Sequence, residues 1–209
     1  MATETELKLG IAPDSVDALL RHPLLGACAN FQHLANTYFD TEDLTLAREK
    51  VAVRERRVDN QTLLTVKTAG HSVGGLSHRQ EWEAPSSSGA FDFVGLVSDP
   101  ELAASLTSLA AQLVPVFTTD FDRLSWSIPV NDSHEESLVE VALDRGVIEV
   151  NRQGRHTSSP ICELELELKR GHPNALLTLA QQLQQQLALE PLDESKAARG
   201  YALFHLLAQ

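Results

Sequence analysis

Residues 160–171 read PICELELELKRG, and their alternation decides how the chain folds. Glu163, Glu165 and Glu167 alternate with Leu164, Leu166 and Leu168. Successive side chains of a strand point to opposite faces, so this run carries carboxylates on one face and leucines on the other. Neighbouring carboxylates repel. The ladder therefore either faces open water or meets cations.

The same phase recurs along the chain. In ETELK, Glu4, Glu6 and Lys8 share one face and Leu7 the other. In VAVRERR, Arg54 and Arg56 oppose Val51 and Val53; in LLTVK, Thr65 and Lys67 oppose Leu64 and Val66. Arg79, Glu81 and Glu83 oppose Gln80 and Trp82, and Glu140 and Asp144 oppose Val139, Val141 and Leu143. A single sheet with one wet face explains each strand separately. Taken together, the rows are dense in Arg and Glu, with the two signs largely segregated by strand. That pattern suits a barrel with charges inside and apolar residues outside. Such an interior is costly unless it is paired, hydrated or filled by ions.

The element order supports this. Strands are expected over 4–9, 33–40, 51–58, 62–68, 77–84, 116–129, 138–144, 147–152 and 162–170, with turns at VDNQ, at DRG (144–146) and at NRQGRH. Helices are expected over 99–113, opened by Asp99 and Pro100, over 172–189 with Leu176, Leu179, Leu183 and Leu187 in phase, and over 193–209. Shorter helical turns are expected at 14–21 and 41–48. Strands, a helix, more strands and then helices give an α+β fold with mainly antiparallel pairing. About eight strands in one domain spanning 1–209 suggest a barrel or a strongly curved sheet; the expected fold is a closed antiparallel eight-stranded barrel, a tunnel covered by helices.

Composition bounds the function. The chain has 209 residues, 43% of them hydrophobic, and a net charge of −12, which argues against a general nucleic-acid binder. Cys28 and Cys162 lack metal-ligand spacing and read as buried thiols of a reducing compartment. No secretory leader or membrane-spanning run is visible, so the expected location is cytoplasmic. His71, His78, His134 and His156 fall in or near expected loops and read as surface residues. Carboxylates in rows are hard ligands for Mg²⁺ or Mn²⁺, and converging Arg and Lys suit phosphate. A small polyanion bridged by a divalent metal satisfies both sets.

With these residues in view, the sequence closely resembles the CYTH superfamily, the triphosphate tunnel metalloenzymes. The resemblance rests on ETELK, YFDTEDLTLAREKVAVRERR, LTVK, RQEWE, CELELEL and SKAARGYAL, six segments in the family's order. FTTDFDRLSW, VEVALDRG and PICELELELKRG look most like the bacterial inorganic triphosphatases. Those often carry a helical CHAD domain after the CYTH domain; a chain ending at Gln209 is either a stand-alone enzyme or a fragment. The resemblance implies metal-dependent hydrolysis of inorganic triphosphate to diphosphate and phosphate. It implies that Glu4, Glu6, Glu163 and Glu165 hold metal, with Glu167 and Asp144 in reserve. Lys8, Arg54, Arg56, Lys67, Arg79, Arg123 and Lys196 would bind phosphate, and Glu81 and Glu83 would serve a second metal or position water. Lys8 with Tyr38 is the candidate base pair.

The pattern departs from relatives at Thr119 and Phe121, where a second basic residue is common, and at Ala142, where some carry an acid. A class IV adenylate cyclase, a thiamine or nucleoside triphosphatase, and a polyphosphate- or nucleotide-binding sensor therefore stay open. Scarce aromatics, with Trp82 and Trp126 on the outward phase, tilt the reading towards inorganic triphosphate. Monomer and homodimer are equally compatible.

Overall fold

The structure is a computed structural model that describes residues 2–26, 29–131 and 136–208; Cys28 and His134 lie outside the described residues. Its strands are β1 (Ala2–Ile11), β2 (Asn30–Asp40), β3 (Ala52–Val58), β4 (Gln61–Lys67), β5 (His71–Val73), β6 (Leu76–Ser86), β7 (Val114–Asn131), β8 (Glu136–Arg152), β9 (Arg155–Arg170) and β10 (Leu189–Pro191). The helices are α1 (Val16–Leu20), α2 (Thr45–Arg48), α3 (Phe93–Leu96), α4 (Pro100–Leu109), α5 (Asn174–Gln184) and α6 (Lys196–Ala208). No helix among the described residues is long and apolar enough to cross a membrane.

All pairings are antiparallel, in the order β1-β9-β8-β7-β2-β3-β4-β6, and β6 pairs back to β1. Eight strands thus close a barrel, while the short β5 and β10 extend its rim. Closure splits β1: its first half, through Leu7, pairs with β6, and Glu6 to Gly10 pair with β9.

One expected turn is absent. The residues 144–146 continue a single strand, β8, instead of breaking it in two. Gly146 acts through its missing side chain: a Cβ there would lie 2.1 Å from the Asp120 carbonyl oxygen and 2.5 Å from Phe121 Cα. It permits close approach of β7, a common use of glycine within a strand. The other turns form as expected. Asp59 (φ 51°) turns β3 into β4, and Gln153 and Gly154 (φ 51° and 77°) turn β8 into β9.

Two apolar layers cover the outside. Leu7, Leu9, Val139, Val141, Leu143, Leu164 and Leu166 face α1 and α5, with Trp126 beside them. Leu176, Leu179 and Leu183 on α5 are at most 1% exposed, and each contributes about 1.5–3 kcal/mol by leaving water. On the other side Val53, Leu64, Val66 and Trp82 pack against α3 and α4. The Asp99 carboxylate caps α4 by accepting from the amides of Glu101 and Leu102 at 3.0 and 3.1 Å.

The last helix departs from the expectation of helices around a charged lumen. Phe204, Tyr201 and Ala197 of α6 pack with Phe117, Phe121, Ile148 and Val150. Phe121, Ile148 and Val150 share the inward phase of Arg123 and Asp144, so α6 lies against the inner wall. It starts at the acidic strands and ends near the β8–β9 hairpin, where Arg155 donates to the Leu207 carbonyl at 3.1 Å. The interior is therefore apolar where α6 fills it and charged elsewhere.

His71, His78 and His156 are exposed, as expected, although on strands; His78 meets the Thr5 hydroxyl at 2.9 Å and His156 meets Glu149 at 3.2 Å. Cys162 is only partly buried, which corrects the expectation of a buried thiol, because it falls on the outward phase at the edge of the α5 layer.

Candidate active site

The charged part of the barrel encloses a cavity of about 960 Å³. Its wall includes Glu4, Glu6, Lys8, Tyr38, Arg54, Arg56, Lys67, Arg79, Glu81, Glu83, Arg123, Glu165, Glu167 and Lys196. Strand alternation brings the strand residues together, each sharing a phase with its neighbours two residues away and turned inward by closure, and α6 adds Lys196.

On the β1–β6–β4 wall the charges interlock. Glu4 accepts from Arg79 Nε at 2.6 Å and from Lys67 Nζ at 3.0 Å, and Glu6 accepts from Arg79 Nη2 at 2.7 Å. Lys8 Nζ lies 3.4 Å from Glu6, and Lys67 also reaches Glu81 at 2.9 Å. Burial alone would lower the Arg79 guanidinium, but Glu6 and Glu4 raise it overall. Burial likewise opposes ionisation of Glu81 and Glu83, yet Lys67 and Arg54 hold Glu81 low, and Arg54 with the Thr65 hydroxyl does so for Glu83.

A second network lies where β7, β8 and β9 meet α6. Arg123 grips Asp144 with two bonds of 2.7 Å and reaches Glu165 at 2.5 Å. The oxygens of Asp144, Glu163 and Glu165 lie within 4.8 Å of one another, a spacing that suits a metal ion. The Lys196 ammonium sits among them, at 2.6 Å from Asp144, 2.5 Å from Glu163 and 2.9 Å from Glu165. Glu163 is 0% exposed, and its second oxygen is held by Arg199 at 2.5 Å. Against the penalty of burial, Lys196 first and then Arg123 and Lys8 hold the Glu165 carboxyl well below its ordinary range.

The three glutamates of the opening ladder thus differ. Glu165 and Glu167 reach the cavity, with Glu167 opposite Glu6 in register and partnered by Lys169 at 2.7 Å. Glu163, one of the two favoured from sequence, lies beneath Lys196 and Arg199, away from the cavity wall. The oxygen-only donor set of Glu4, Glu6, Glu165 and Glu167 fits Mg²⁺ or Mn²⁺.

Lys8 and Tyr38 face the same cavity from opposite walls, since β1 and β2 are four strands apart in either direction around the barrel. Tyr38 stacks on Phe117 with ring centroids 4.4 Å apart. Burial would raise its hydroxyl, but the Arg54 charge and hydrogen bond, with Lys67 and Arg56 behind, pull it below the ordinary tyrosine value. Lys8 is not among those influences.

Two polar residues escaped the sequence reading. Asn36 shares the inward phase of Tyr38, and its Oδ1 accepts from Arg56 Nε at 2.9 Å. Arg199 lies three residues after Lys196, hence on the same helix face. Both signals lie in the sequence: Asn36 is two residues from Tyr38 on one strand, and Arg199 is three from Lys196 on one helix.

This arrangement, a closed barrel whose lumen carries interlocked acids and bases, agrees with the comparisons. Residues 2–201 match the CYTH domain, and the chain belongs to that family. It is 33% identical over 97% of its length to an inorganic triphosphatase of Haemophilus influenzae, and spans 55% of that protein. Its fold is similar to that of a Hippeastrum protein proposed as an adenylyl cyclase and described as having a dominant triphosphatase activity (TM-score 0.60, 18% identity, covering 97% of this chain and 95% of the other). It is also similar to a Bacillus halodurans protein proposed as an adenylate cyclase (TM-score 0.56, 20% identity, covering 95% and 98%). At these identities the two structures speak to fold alone.

Proposed function

We propose that residues 1–209 act as one unit that hydrolyses a linear inorganic triphosphate, with Mg²⁺ or Mn²⁺, to diphosphate and phosphate. The observation that carries this reading is the composition of the lumen: cations and carboxylates line it together, and aromatic rings are few among the described residues. Three rings line the cavity among the described residues, Tyr38, Phe121 and Tyr201. Tyr38 is stacked on Phe117, Tyr201 is edge-on to Phe117 at 5.1 Å, and Phe121 lies under Lys196 at 4.9 Å. Each of these rings already makes one contact within the wall, and a bare phosphate chain needs no ring to stack on. The name of the Haemophilus influenzae relative points the same way.

In this reading Arg54, Arg56, Lys67, Arg79, Arg123, Lys8 and Lys196 bind and align phosphate oxygens. Phosphoryl transfer depends mostly on such positioning and charge neutralisation. Water attacks the terminal phosphorus, the bond to the bridging oxygen breaks, and diphosphate leaves. Glu4, Glu6 and Glu165, with Glu167 across from Glu6, would hold the divalent ion, which supplies charge neutralisation and acidifies water. Glu81 and Glu83 keep the Arg54 and Lys67 wall in place and face the cavity where water must be ordered. Tyr38 orients Arg54, and Lys8 acts from the opposite wall.

Phosphate release from tripolyphosphate, ATP and thiamine triphosphate, each with Mg²⁺, Mn²⁺ or chelator, tests the proposal. Release from tripolyphosphate with metal, well above the other substrates, is expected. Tight binding without release would make the protein a sensor, and cyclic AMP from ATP would make it a cyclase.

A further inference from the structure

The basic residues of the lumen are not equally satisfied. Lys8, Arg54, Lys67, Arg79, Arg123 and Lys196 each have a carboxylate within 4.0 Å. Arg56 has none among the described residues; its one hydrogen bond goes from Nε to the neutral Asn36 Oδ1 at 2.9 Å. Asn36 is 2% exposed, and its Nδ2 donates to Thr119, whose hydroxyl lies at 3.0 Å and carbonyl at 3.4 Å. Thr119 is itself 1% exposed. Asn36 and Thr119 therefore form a rigid, uncharged backing on the Nε side of Arg56.

The electrostatics agree with this geometry. Burial first, then the Arg54 and Arg123 guanidinia, push Arg56 down to about 10, while Glu83 and Tyr38 offset this only in part. A guanidinium held against other guanidinia, with no carboxylate within 4.0 Å among the described residues and only Glu83 and Tyr38 offsetting it at longer range, carries a charge that an anion entering the lumen would relieve. Its remaining N–H donors form a planar fork suited to two phosphate oxygens.

We propose that Asn36, backed by Thr119, is a positioning residue that fixes the Arg56 fork and, by being neutral, keeps its charge free for the substrate's phosphate. This deepens the triphosphate reading and rests on it for the identity of the anion. Asparagine at this place does two things that aspartate or leucine would do only singly. Aspartate would keep the acceptor but neutralise Arg56; leucine would leave the charge unpaired and lose the orientation.

The test uses the whole chain with three variants, Asn36→Asp, Asn36→Leu and Thr119→Val. Tripolyphosphate binding is measured by calorimetry in chelator, KM and kcat with metal, and melting temperature without ligand. Asn36→Asp is expected to weaken tripolyphosphate binding and raise KM by about tenfold, while melting no lower than wild type, because a buried cation gains a partner. Asn36→Leu should weaken binding similarly but melt lower, and Thr119→Val should fall between wild type and Asn36→Leu in binding. This opposition of affinity and stability in Asn36→Asp is not produced by a merely structural residue. Unchanged binding in Asn36→Asp, a melting temperature below wild type in that variant, or no metal-free binding by wild type would overturn the proposal. Absence of turnover, with the binding pattern intact, would instead sink the triphosphatase reading and leave the role of Asn36 standing.

Discussion

Lys196 Nζ lies 2.5 Å from Glu163 Oε1, and this contact seats the start of α6 inside the barrel. Arg199 takes the other oxygen of the same carboxylate at 2.5 Å. Glu163 is thereby fixed to the helix rather than offered to the lumen. The same ammonium also satisfies Asp144 and Glu165, so one cation holds together three strand carboxylates that would otherwise repel.

Removing that cation should be costly. Lys196→Met leaves the buried acids with one fewer counter-charge, and a loss of about 3 kcal/mol is expected for breaking a buried ion pair from one side. Urea unfolding at neutral pH reads it. A variant as stable as wild type would mean that Arg123 and Arg199 neutralise the cluster unaided.

Metal affinity should separate the glutamates. In Mn²⁺ titrations without substrate, Glu6→Gln and Glu165→Gln are expected to lose more than about tenfold in affinity. Glu163→Gln should change it by less than about threefold while lowering the melting temperature, since its oxygens face Lys196 and Arg199. Equal losses from all three would move the metal to the Asp144, Glu163 and Glu165 cage.

Acid should unfold the protein through these carboxylates. Glu165 is held well below the ordinary glutamate value of 4.5, so its contribution is fully present above that pH and is lost as pH falls through the lowered value. Wild type should lose melting temperature progressively below about pH 4.5. Glu165→Gln should start lower and decline less steeply. Parallel curves would show that Glu165 carries no folding-linked proton.

The seat of α6 is testable without touching a charge. A Cβ at Gly200 would lie 2.3 Å from the Phe117 ring, which also stacks on Tyr38. Gly200→Ala should therefore lower stability by about 1–3 kcal/mol, as overpacking does, although alanine favours helix. A gain in melting temperature would mean that α6 is not held against the inner wall.

Kinetics should distinguish the two walls. Lys8→Met is expected to lower kcat for tripolyphosphate by more than about a hundredfold, and Tyr38→Phe by about tenfold or less, since removing a group that acts on the reacting atoms is the larger loss. Equal large losses would restore Lys8 and Tyr38 as a functional pair; near-wild-type rates in both would remove each from the chemistry.

Strand alternation made much of this legible. Glu4, Glu6, Lys8, Arg54, Arg56, Lys67 and Arg79 are read as inward from their phase with apolar neighbours, because period two admits only two faces and the apolar face must be covered. The caps of α4, the leucine stripe of α5 and the outward Trp82 and Trp126 followed from equally local rules. DRG at 144–146 misled because glycine in a turn and glycine at a strand crossing look alike in one dimension. Only the approach of Phe121 to Gly146 distinguishes them.

The sequence by itself determined that the chain forms a barrel with charges inside, since alternation and burial are local properties of each strand. It could not determine which charges meet, because pairing depends on strand order, register and the path of α6. Those long-range contacts moved Glu163 from the lumen to the helix seat and separated Lys8 from Tyr38. They also left Arg56 with a neutral partner, while Lys8, Arg54, Lys67, Arg79, Arg123 and Lys196 each meet a carboxylate.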